Sequence, residues 1–192
     1  MIKTLRKFLN PPETSWHVDF ITQLAFHMNV NVYAEVGIYE GETFNRIKAQ
    51  RKYAVDILPI ALSHIPNKLQ VRKILGTSCE LAVELEKFKE ELDLLFIDAN
   101  HDSKAVQEDF MQLEKYMSRH GVVCLHDTFP KDESFTSSKF CGDAYLAIPK
   151  LQKSFTNWQF VTLPIHPGLT VATKKDMSPP WIKLENDSTN KD

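Results

Sequence analysis

The stretch A-E-V-G-I-Y-E-G-E-T at residues 34–43 joins a predicted strand to a predicted helix. The strand is expected over residues 31–36, which form a largely apolar run, and the helix over 41–49. Gly37 permits a sharp turn and lets a ligand approach the backbone, and Gly41 lets the start of the helix pack tightly against the strand. The stretch therefore predicts a ligand-binding turn at the carboxyl end of a strand in an α/β sheet.

The rest of the chain alternates apolar runs rich in β-branched residues with stretches of helical spacing, which is typical of an α/β fold with a parallel sheet. Strands are predicted at residues 31–36, 52–55, 71–75, 92–97, 122–125, 158–163 and 169–173. Helices are predicted from residue 14 or 15 to 28 and at 41–49, 79–88, 103–117 and 141–155, with a short one opening at Pro59. The last two strands flank a Pro/Gly turn, so we expect them to be antiparallel.

The length of 192 residues suits one domain. We expect this domain at residues 13–176, between an N-terminal segment at 1–12 and a disordered tail at 177–192, where Pro, Asp, Asn and Lys dominate. A polar, turn-rich stretch at 129–140 is expected to be a mobile loop. The formal net charge of -2 argues against broad attraction to nucleic acids or membrane surfaces.

The cysteines Cys79, Cys124 and Cys141 are widely spaced and form no C-x-x-C pair. This argues against a zinc knuckle or a disulfide framework and suits a reducing compartment, so we expect a cytoplasmic protein. No apolar stretch reaches the ~18 residues needed to cross a bilayer. The basic N-terminus also lacks the apolar stretch of a secretory signal.

Asp56 ends the second predicted strand, about 20 residues after the glycine turn. An acid at this place can accept both ribose hydroxyls of a nucleoside, or it can cap the turn before Pro59. Tyr39 stands where a dinucleotide fingerprint has its middle glycine, and its side chain would crowd a pyrophosphate. The turn therefore favours a nucleoside ligand without phosphates.

Polar residues also follow the fourth and fifth predicted strands, as D-A-N-H at 98–101 and H-D-T at 126–128. If these strands are adjacent and parallel, their ends lie ~5 Å apart. Asp98, His101 and Asp127 would then converge beside the glycine turn, where they could bind a hard divalent cation or move a proton. Each residue alone could instead cap a helix or order a loop.

Taken together, these pieces resemble the class I S-adenosylmethionine-dependent methyltransferases. The similarity is greatest to the small group that includes macrocin-type sugar O-methyltransferases, with catechol O-methyltransferase as a more distant relative. The matching pieces are E-V-G-I-Y-E-G-E-T at 35–43, A-V-D at 54–56, G-T-S at 76–78, L-F-I-D-A-N-H at 95–101, V-Q-E-D at 106–109 and G-V-V-C-L-H-D-T at 121–128. The resemblance implies a Rossmann-like, doubly wound, seven-stranded, mostly parallel sheet with an antiparallel C-terminal hairpin strand.

The resemblance also implies roles for the residues at the strand ends. Glu35 and Gly37 would hold the methionine part of S-adenosylmethionine, and Asp56 would bind its ribose hydroxyls. The full set expected to bind this cofactor is Glu35, Gly37, Tyr39, Gly41, Thr43, Asp56, Gly76, Thr77, Ser78 and Asp98. Of these, the three residues at 76–78 would lie near the adenine.

The same resemblance gives a metal set and a candidate base. Asp98 and Asp127 match positions that hold Mg²⁺ in metal-dependent members, and Thr128 stands at the third position, where Asn or Asp is usual. Because threonine is a poorer ligand, a Mg²⁺-assisted and a metal-free reaction both stay open. His101 lies where catechol O-methyltransferase has its catalytic lysine, so we expect His101 and Asp98 to carry the chemistry.

The function expected from these residues is O-methylation of a small hydroxylated acceptor, with residues 129–140 closing over it. Two alternatives stay open. A module of this fold could bind the cofactor without catalysis, because D-A-N-H at 98–101 and Thr128 depart from the family pattern. A nicotinamide-dependent oxidoreductase is disfavoured by Tyr39. The sequence gives neither the identity of the acceptor nor the oligomeric state.

Overall fold

The structure, a computed structural model, describes residues 16–176. The predictions made for the segments at 1–12 and 177–192 lie outside the described residues. Within the described part, helices and strands alternate along the chain until the C-terminal pair of strands. The central region therefore has the α/β organisation that the sequence predicts.

One sheet contains the strands β1 Val32–Val36, β2 Arg51–Asp56, β3 Val71–Leu75, β4 Leu92–Ile97, β5 Met117–His126, β6 Trp158–Leu163 and β7 Leu169–Lys174. Their spatial order is β3-β2-β1-β4-β5-β7-β6. β7 is antiparallel to both β5 and β6, whereas the pairs from β3 to β5 are parallel. The predicted Rossmann-like, seven-stranded sheet with an antiparallel C-terminal strand is confirmed. The chain order reverses between β1 and β4, which makes this the point where a ligand is expected.

The helices are α1 Trp16–His27, α2 Glu42–Arg46, α3 Pro59–Ser63, α4 Ser78–Phe88, α5 Ser103–Leu113 and α6 Ala147–Ser154. Apolar residues of α1, α2 and α3 pack with one face of the sheet, which we call the α1 face. Those of α4, α5 and α6 pack with the opposite face. Helices on both faces explain why β4 is almost entirely buried and reads as a continuous apolar run.

The predicted helix at 103–117 is too long. α5 ends at Leu113, a 3-10 turn follows at Glu114–Tyr116, and Met117 begins β5. Met117 fits the helical spacing because it lies four residues after Leu113, but it pairs instead with Leu92 of β4 and is buried there. Burial against a neighbouring strand outweighs the local helical pattern at this position.

Two other helices are shorter than predicted. α2 stops at Arg46, where Ile47 adopts an extended conformation and the ammonium of Lys52 donates to the carbonyls of Phe44 and Ile47. The predicted helix at 141–155 is a 3-10 turn at Ala144–Leu146 followed by α6. Both differences concern helix ends, which sequence patterns place least accurately.

Among the described residues, no helix combines the length and the apolar character needed to cross a membrane. Cys79, Cys124 and Cys141 are free thiols, and the last two are buried. The reducing compartment and the cytoplasmic location stay predictions.

Candidate active site

The carboxyl ends of β2, β1, β4 and β5 lie side by side, because these strands are neighbours in that order. The Gly37 amide donates a hydrogen bond to the Val55 carbonyl of β2 at 2.9 Å, and the Asp98 amide donates to the Val36 carbonyl of β1 at 2.8 Å. The turn after β1 is therefore held between the ends of β2 and β4, at the point where the chain order reverses.

Two glycines shape this turn. Gly37 has a φ of +92°, and a Cβ atom there would lie 2.1 Å from the Asp98 carbonyl oxygen, so only glycine fits. Gly41 has a φ of +72°, and a Cβ atom there would lie 2.7 Å from Cδ1 of Ile65. Tyr39 lies between them with its side chain at the surface. The chain can therefore approach β4 closely while the outer side of the turn stays accessible.

Backbone amides hold the carboxylate of Asp56 in one orientation. Its Oδ2 accepts hydrogen bonds from the Ile38 amide at 2.8 Å and the Tyr39 amide at 3.4 Å, and its Oδ1 accepts one from the Leu58 amide at 2.8 Å. Oδ1 retains capacity for a further donor, and at Oδ2 a stronger donor could replace the long contact with the Tyr39 amide. Asp56 thus orders the turn before α3, as one interpretation of the sequence holds, and also presents oxygens that two neighbouring hydroxyls can reach.

Apolar side chains surround Asp56 at the surface. Ile57 and Leu58 follow it in the chain, Leu75 pairs with it in the β2–β3 register, and all three are more than half exposed. Exposed apolar side chains that cluster around a fixed polar group are typical of a ligand-binding groove. This surface suits a flat heterocycle joined to a pair of hydroxyl groups.

The predicted G-T-S residues follow β3, next to this surface. The Gly76 amide donates to the Asp56 carbonyl at 3.0 Å. Thr77 is the N-cap of α4 and forms a reciprocal capping box with Glu80, whereas Ser78 is buried. The structure thus brings Gly76 beside Asp56 and engages the Thr77 side chain in starting α4.

Glu35 and Thr43 are buried within the α1 face, below the open edge where Asp56 lies. The Glu35 carboxyl accepts a hydrogen bond from the Tyr33 hydroxyl. Burial raises the pKa of Glu35 to about 8, against the opposing effects of that hydrogen bond and of the Lys52 ammonium. The structure therefore does not bring the Glu35 carboxyl to the open edge with Asp56.

Polar side chains gather at the ends of β4 and β5 and on the adjacent turn of α1. We call them the histidine cluster, which consists of His17, Asp98, His101, His126 and Asp127. Ligand atoms of Asp98, His101 and Asp127 lie within 4.8 Å of one another, and so do those of His17, Asp98 and His126. The predicted convergence of Asp98, His101 and Asp127 is observed, because β4 and β5 are adjacent and parallel.

Each carboxylate of the histidine cluster contacts an imidazole. Nε2 of His101 lies 3.0 Å from Oδ2 of Asp127. Nδ1 of His126 lies 3.0 Å from Oδ1 of Asp98 and 3.5 Å from Oδ2 of Asp127. The side chain of His101 is 32% exposed, against 10% for His126. His101 is therefore the imidazole that a ligand from solvent can reach.

Burial and charge act differently on the two buried imidazoles. Burial would lower the pKa of His126, but Asp98 and Asp127 outweigh it and raise that pKa to about 10. Burial, followed by the charge of His126, lowers the pKa of His17 to about 4. Burial would raise the pKa of Asp127, but its contacts with His126 and His101 hold that pKa below its usual value.

Sequence reasoning missed His17 and His126 as site residues. His17 shares the inward side of α1 with Ile21 and Ala25, each one turn further along, and this placement was a usable signal. His126 directly precedes Asp127 and lies on the same side of β5 as the buried Cys124, which also pointed inward.

Thr128 is buried, and its hydroxyl accepts a hydrogen bond from the Thr170 hydroxyl at 2.9 Å. The third predicted metal ligand is thus already engaged with β7. Cys141 lies on the other side of Asp127, and burial followed by the Asp127 charge raises the pKa of its thiol to about 12. A thiol in this state is a poor nucleophile.

Two cavities of about 550 and 600 Å³ lie elsewhere in the described part of the chain. The first is lined by residues of α2 and the starts of β2 and β3, including Lys48, Lys52 and Lys68. The second lies along β3 and α4. Neither includes a member of the histidine cluster.

Comparison with known proteins concerns the same part of the chain. A family model described as a methyltransferase domain matches residues 34–128, from β1 through the end of β5. This range includes the glycine turn, Asp56 and all of the histidine cluster except His17. No curated protein matches the chain in a sequence search.

Solved structures share the fold over most of their length. One is a candidate caffeoyl-CoA O-methyltransferase from Staphylococcus aureus, with 18% identity, a TM-score of 0.66, and coverage of 90% of this chain and 91% of that one. Another is an O-methyltransferase from Bacillus cereus in complex with S-adenosylhomocysteine, with 16% identity, a TM-score of 0.65, and coverage of 91% and 88%. A third is the O-methyltransferase TomG from Streptomyces achromogenes in complex with S-adenosylmethionine, with 14% identity, a TM-score of 0.65, and coverage of 88% and 85%.

Proposed function

This chain belongs to the class I S-adenosylmethionine-dependent methyltransferases, and we propose that it methylates a hydroxyl oxygen of a small-molecule acceptor. One observation carries the proposal. A fixed carboxylate, Asp56, and a proton-accepting pair, His101 with Asp127, lie at the ends of neighbouring parallel strands on the two sides of the glycine turn. The Asp56 carboxylate suits a nucleoside, and the pair of His101 and Asp127 suits a hydroxyl group that must lose its proton.

The residues around Asp56 fit the nucleoside part of the cofactor. The oriented Asp56 carboxylate would accept hydrogen bonds from the two ribose hydroxyls. Ile57, Leu58 and Leu75 would cover the adenine, because their side chains are exposed next to that carboxylate. The outer side of the turn at Gly37 would take the methionine part. When bound, S-adenosylmethionine supplies a methyl group on an electrophilic sulfonium.

His101 is the proposed base. Its Nε2 contacts Asp127, which fixes the orientation of the ring and stabilises the imidazolium that forms when Nδ1 accepts the proton of the acceptor hydroxyl. A carboxylate that orients an imidazole in this way is a common arrangement for general bases. Together, the cofactor turn and His101 would hold the acceptor oxygen in line with the methyl group.

The oxygens of Asp98 and Asp127 would hold a Mg²⁺ ion, which lowers the pKa of a bound hydroxyl. Two carboxylates fit this role. The Thr128 hydroxyl fits it less well, because it is buried and bonded to Thr170. Metal assistance is therefore a separate part of the proposal, which is tested by removing the ion with a chelator.

Binding and turnover test the proposal in sequence. S-adenosylhomocysteine should raise the melting temperature of the protein, NADH should not, and Asp56→Asn should weaken the first effect. A panel of hydroxylated acceptors with labelled S-adenosylmethionine, with Mg²⁺ or with a chelator, then tests transfer. Binding without a labelled product on any acceptor would favour a cofactor-binding module. Stabilisation by NADH alone would favour an oxidoreductase and overturn the proposal.

A further inference from the structure

Two imidazole rings are packed together on the α1 face, beside the proposed acceptor site. His17 belongs to α1 and His126 ends β5, and their ring centroids are 4.1 Å apart with an angle of 46° between the planes. The ring of Phe96 lies next to both, with centroid distances of 6.2 Å to His17 and 6.0 Å to His126. The pair is therefore enclosed by α1 on one side and by the sheet on the other.

Each of these rings has a buried nitrogen without a hydrogen-bond partner among residues 16–176. These atoms are Nδ1 of His17 and Nε2 of His126. An unpaired buried polar group costs about 1–3 kcal/mol of stability, so a protein rarely retains two of them side by side without a use. At His17, a phenylalanine or leucine would avoid this cost, whereas His126 also contacts Asp98 and Asp127 through its other nitrogen.

Asp98 completes the surroundings of the pair. One oxygen of Asp98 lies 3.0 Å from Nδ1 of His126. One ligand atom from each of His17, Asp98 and His126 lies within 4.8 Å of the other two. A metal ion with bonds of about 2.0–2.2 Å spans ligand atoms that are at most about 4.4 Å apart, so small side-chain movements bring all three ligand atoms within its reach.

We propose that His17, His126 and Asp98 bind a first-row transition-metal ion such as Zn²⁺ or Co²⁺. Two imidazoles and one carboxylate form the donor set that these borderline ions prefer, whereas Mg²⁺ prefers oxygen donors alone. This set differs from the all-oxygen set at Asp98, Asp127 and Thr128 in composition and in location, because it lies between the sheet and α1.

The ion would join α1 to the ends of β4 and β5. His17 is the ligand from α1, and the other ligands come from the strand ends that hold the proposed acceptor site. Because the ion would bind the folded protein and not the unfolded chain, it would raise the stability of the fold through mass action. The site also shares Asp98 with the proposed methyl-transfer site. The inference does not depend on that function, because metal binding can be measured without any methyl transfer.

Co²⁺ is the probe that tests the inference. The full chain, stripped with a chelator and then dialysed, is titrated with Co²⁺ while the visible absorption of the ion and the melting temperature are recorded. We expect the visible absorption to rise until one Co²⁺ ion is bound per chain and then to stay constant. Its intensity should be that of a Co²⁺ site with few ligands that include nitrogen, and the melting temperature should rise. Excess Mg²⁺ should not remove the absorption.

Variants then assign the ligands. His17→Gln should weaken Co²⁺ binding by more than the roughly 10- to 100-fold lost when an outer-shell partner is removed. His27→Gln, an exposed histidine on the same helix, is the matched control and should bind like the parent protein. His101→Gln should also retain binding, because His101 lies outside the proposed donor set.

Three outcomes would overturn the inference. The parent protein could show no saturable absorption, or His17→Gln could bind Co²⁺ as tightly as the parent. His101→Gln could also lose binding while His17→Gln keeps it, which would assign the ion to Asp98, His101 and Asp127. Thermal unfolding of each metal-free variant shows whether it is folded. If His17→Gln fails to fold, His17→Phe provides the same test.

Discussion

Two polar clusters lie on or beside the α1 face of the same sheet, and they differ in how well the hydrogen bonds of their buried groups are satisfied. In the first, which we call the lysine cluster, the Lys52 ammonium donates to the Phe44 and Ile47 carbonyls and the Tyr33 hydroxyl donates to Glu35. In the histidine cluster, two buried nitrogens have no partner among the described residues.

The difference separates structure from function. A buried polar group whose partners are all present stabilises one conformation and offers nothing to a ligand. A buried polar group without partners lowers stability and persists where a ligand, an ion or a reacting group completes it. We therefore expect substitutions in the lysine cluster to change stability and substitutions in the histidine cluster to change chemistry.

The largest expected effect is on catalysis. His101→Gln removes the proposed base while the side chain can still donate to Asp127. Loss of a general base costs about 100- to 10,000-fold, so kcat for methyl transfer should fall by this range once an acceptor is known. The melting temperature should change little, because His101 is partly exposed. Single-turnover rates with labelled cofactor measure the chemical step directly.

A matched control separates this effect from loss of fold or cofactor binding. His64→Gln changes an exposed histidine whose ring contacts the Tyr39 carbonyl, and it should leave kcat within about twofold of the parent. S-adenosylhomocysteine should bind both variants with the affinity of the parent protein. An unchanged kcat in His101→Gln would refute the assignment of His101 as the base.

The next effect is on stability and belongs to the lysine cluster. Lys52→Met leaves the Phe44 and Ile47 carbonyls without their donor inside the protein. Buried unsatisfied groups cost about 1–3 kcal/mol each, so the free energy of unfolding should fall by about 3 kcal/mol. Urea denaturation measures this loss. Lys48→Met, at an exposed lysine in the connection between α2 and β2, should change stability by less than about 0.5 kcal/mol.

The sequence predicts much of the candidate site because the end of each strand can be recognised from a few neighbouring residues. The glycine turn, Asp56, Asp98 and Asp127 each follow an apolar run, and parallel pairing then brings them to one edge of the sheet. Lys52 could not be placed in this way, because a lysine at the start of a strand resembles a solvated end. Its burial depends on the Phe44 carbonyl in α2 and the Ile47 carbonyl just after it, which are available to Lys52 because α2 stops early.

The contact between His17 and His126, in contrast, could not be predicted from the sequence. The inward placement of His17 follows from helical spacing, but its partner His126 is 109 residues away in the chain. Only the docking of α1 on β4 and β5 brings the rings together. The same reason explains Met117, whose helical spacing is overruled by its pairing with Leu92. Tertiary contacts of this kind leave no local pattern.

A pH-dependent effect of intermediate size should come from Glu35. Its pKa is about 8 in the folded protein and 4.5 in the unfolded chain, so folding retains a proton that unfolding releases. The stability from this group is complete below about pH 4.5 and is lost as the pH rises towards 8. The slope for one proton is at most about 1.4 kcal/mol per pH unit.

Glu35→Gln should remove this slope. Tyr33, Asp98 and Lys52 are the ionisable groups that act on Glu35, and none of them is changed by the substitution. Urea denaturation at about pH 5.5 and 7.5 should show a decline of up to about 2 kcal/mol in the parent protein and a smaller one in the variant. Glu40→Gln, exposed in the neighbouring turn, should keep the parent slope. If stability declined equally with pH in Glu35→Gln and in the parent protein, a group other than Glu35 would be responsible for the decline.

The smallest expected effect compares the two clusters directly, with chelator present so that no metal contributes. Tyr33→Phe deletes a satisfied hydroxyl and leaves Glu35 without its donor, so the free energy of unfolding should fall by about 1 kcal/mol. His17→Phe deletes an unsatisfied nitrogen and keeps a ring against His126 and Phe96, so the free energy should rise by about 1 kcal/mol. Opposite signs support the distinction between the clusters. A loss of stability in both variants would mean that the His17 nitrogen has a partner after all, and the argument from unsatisfied groups would fail.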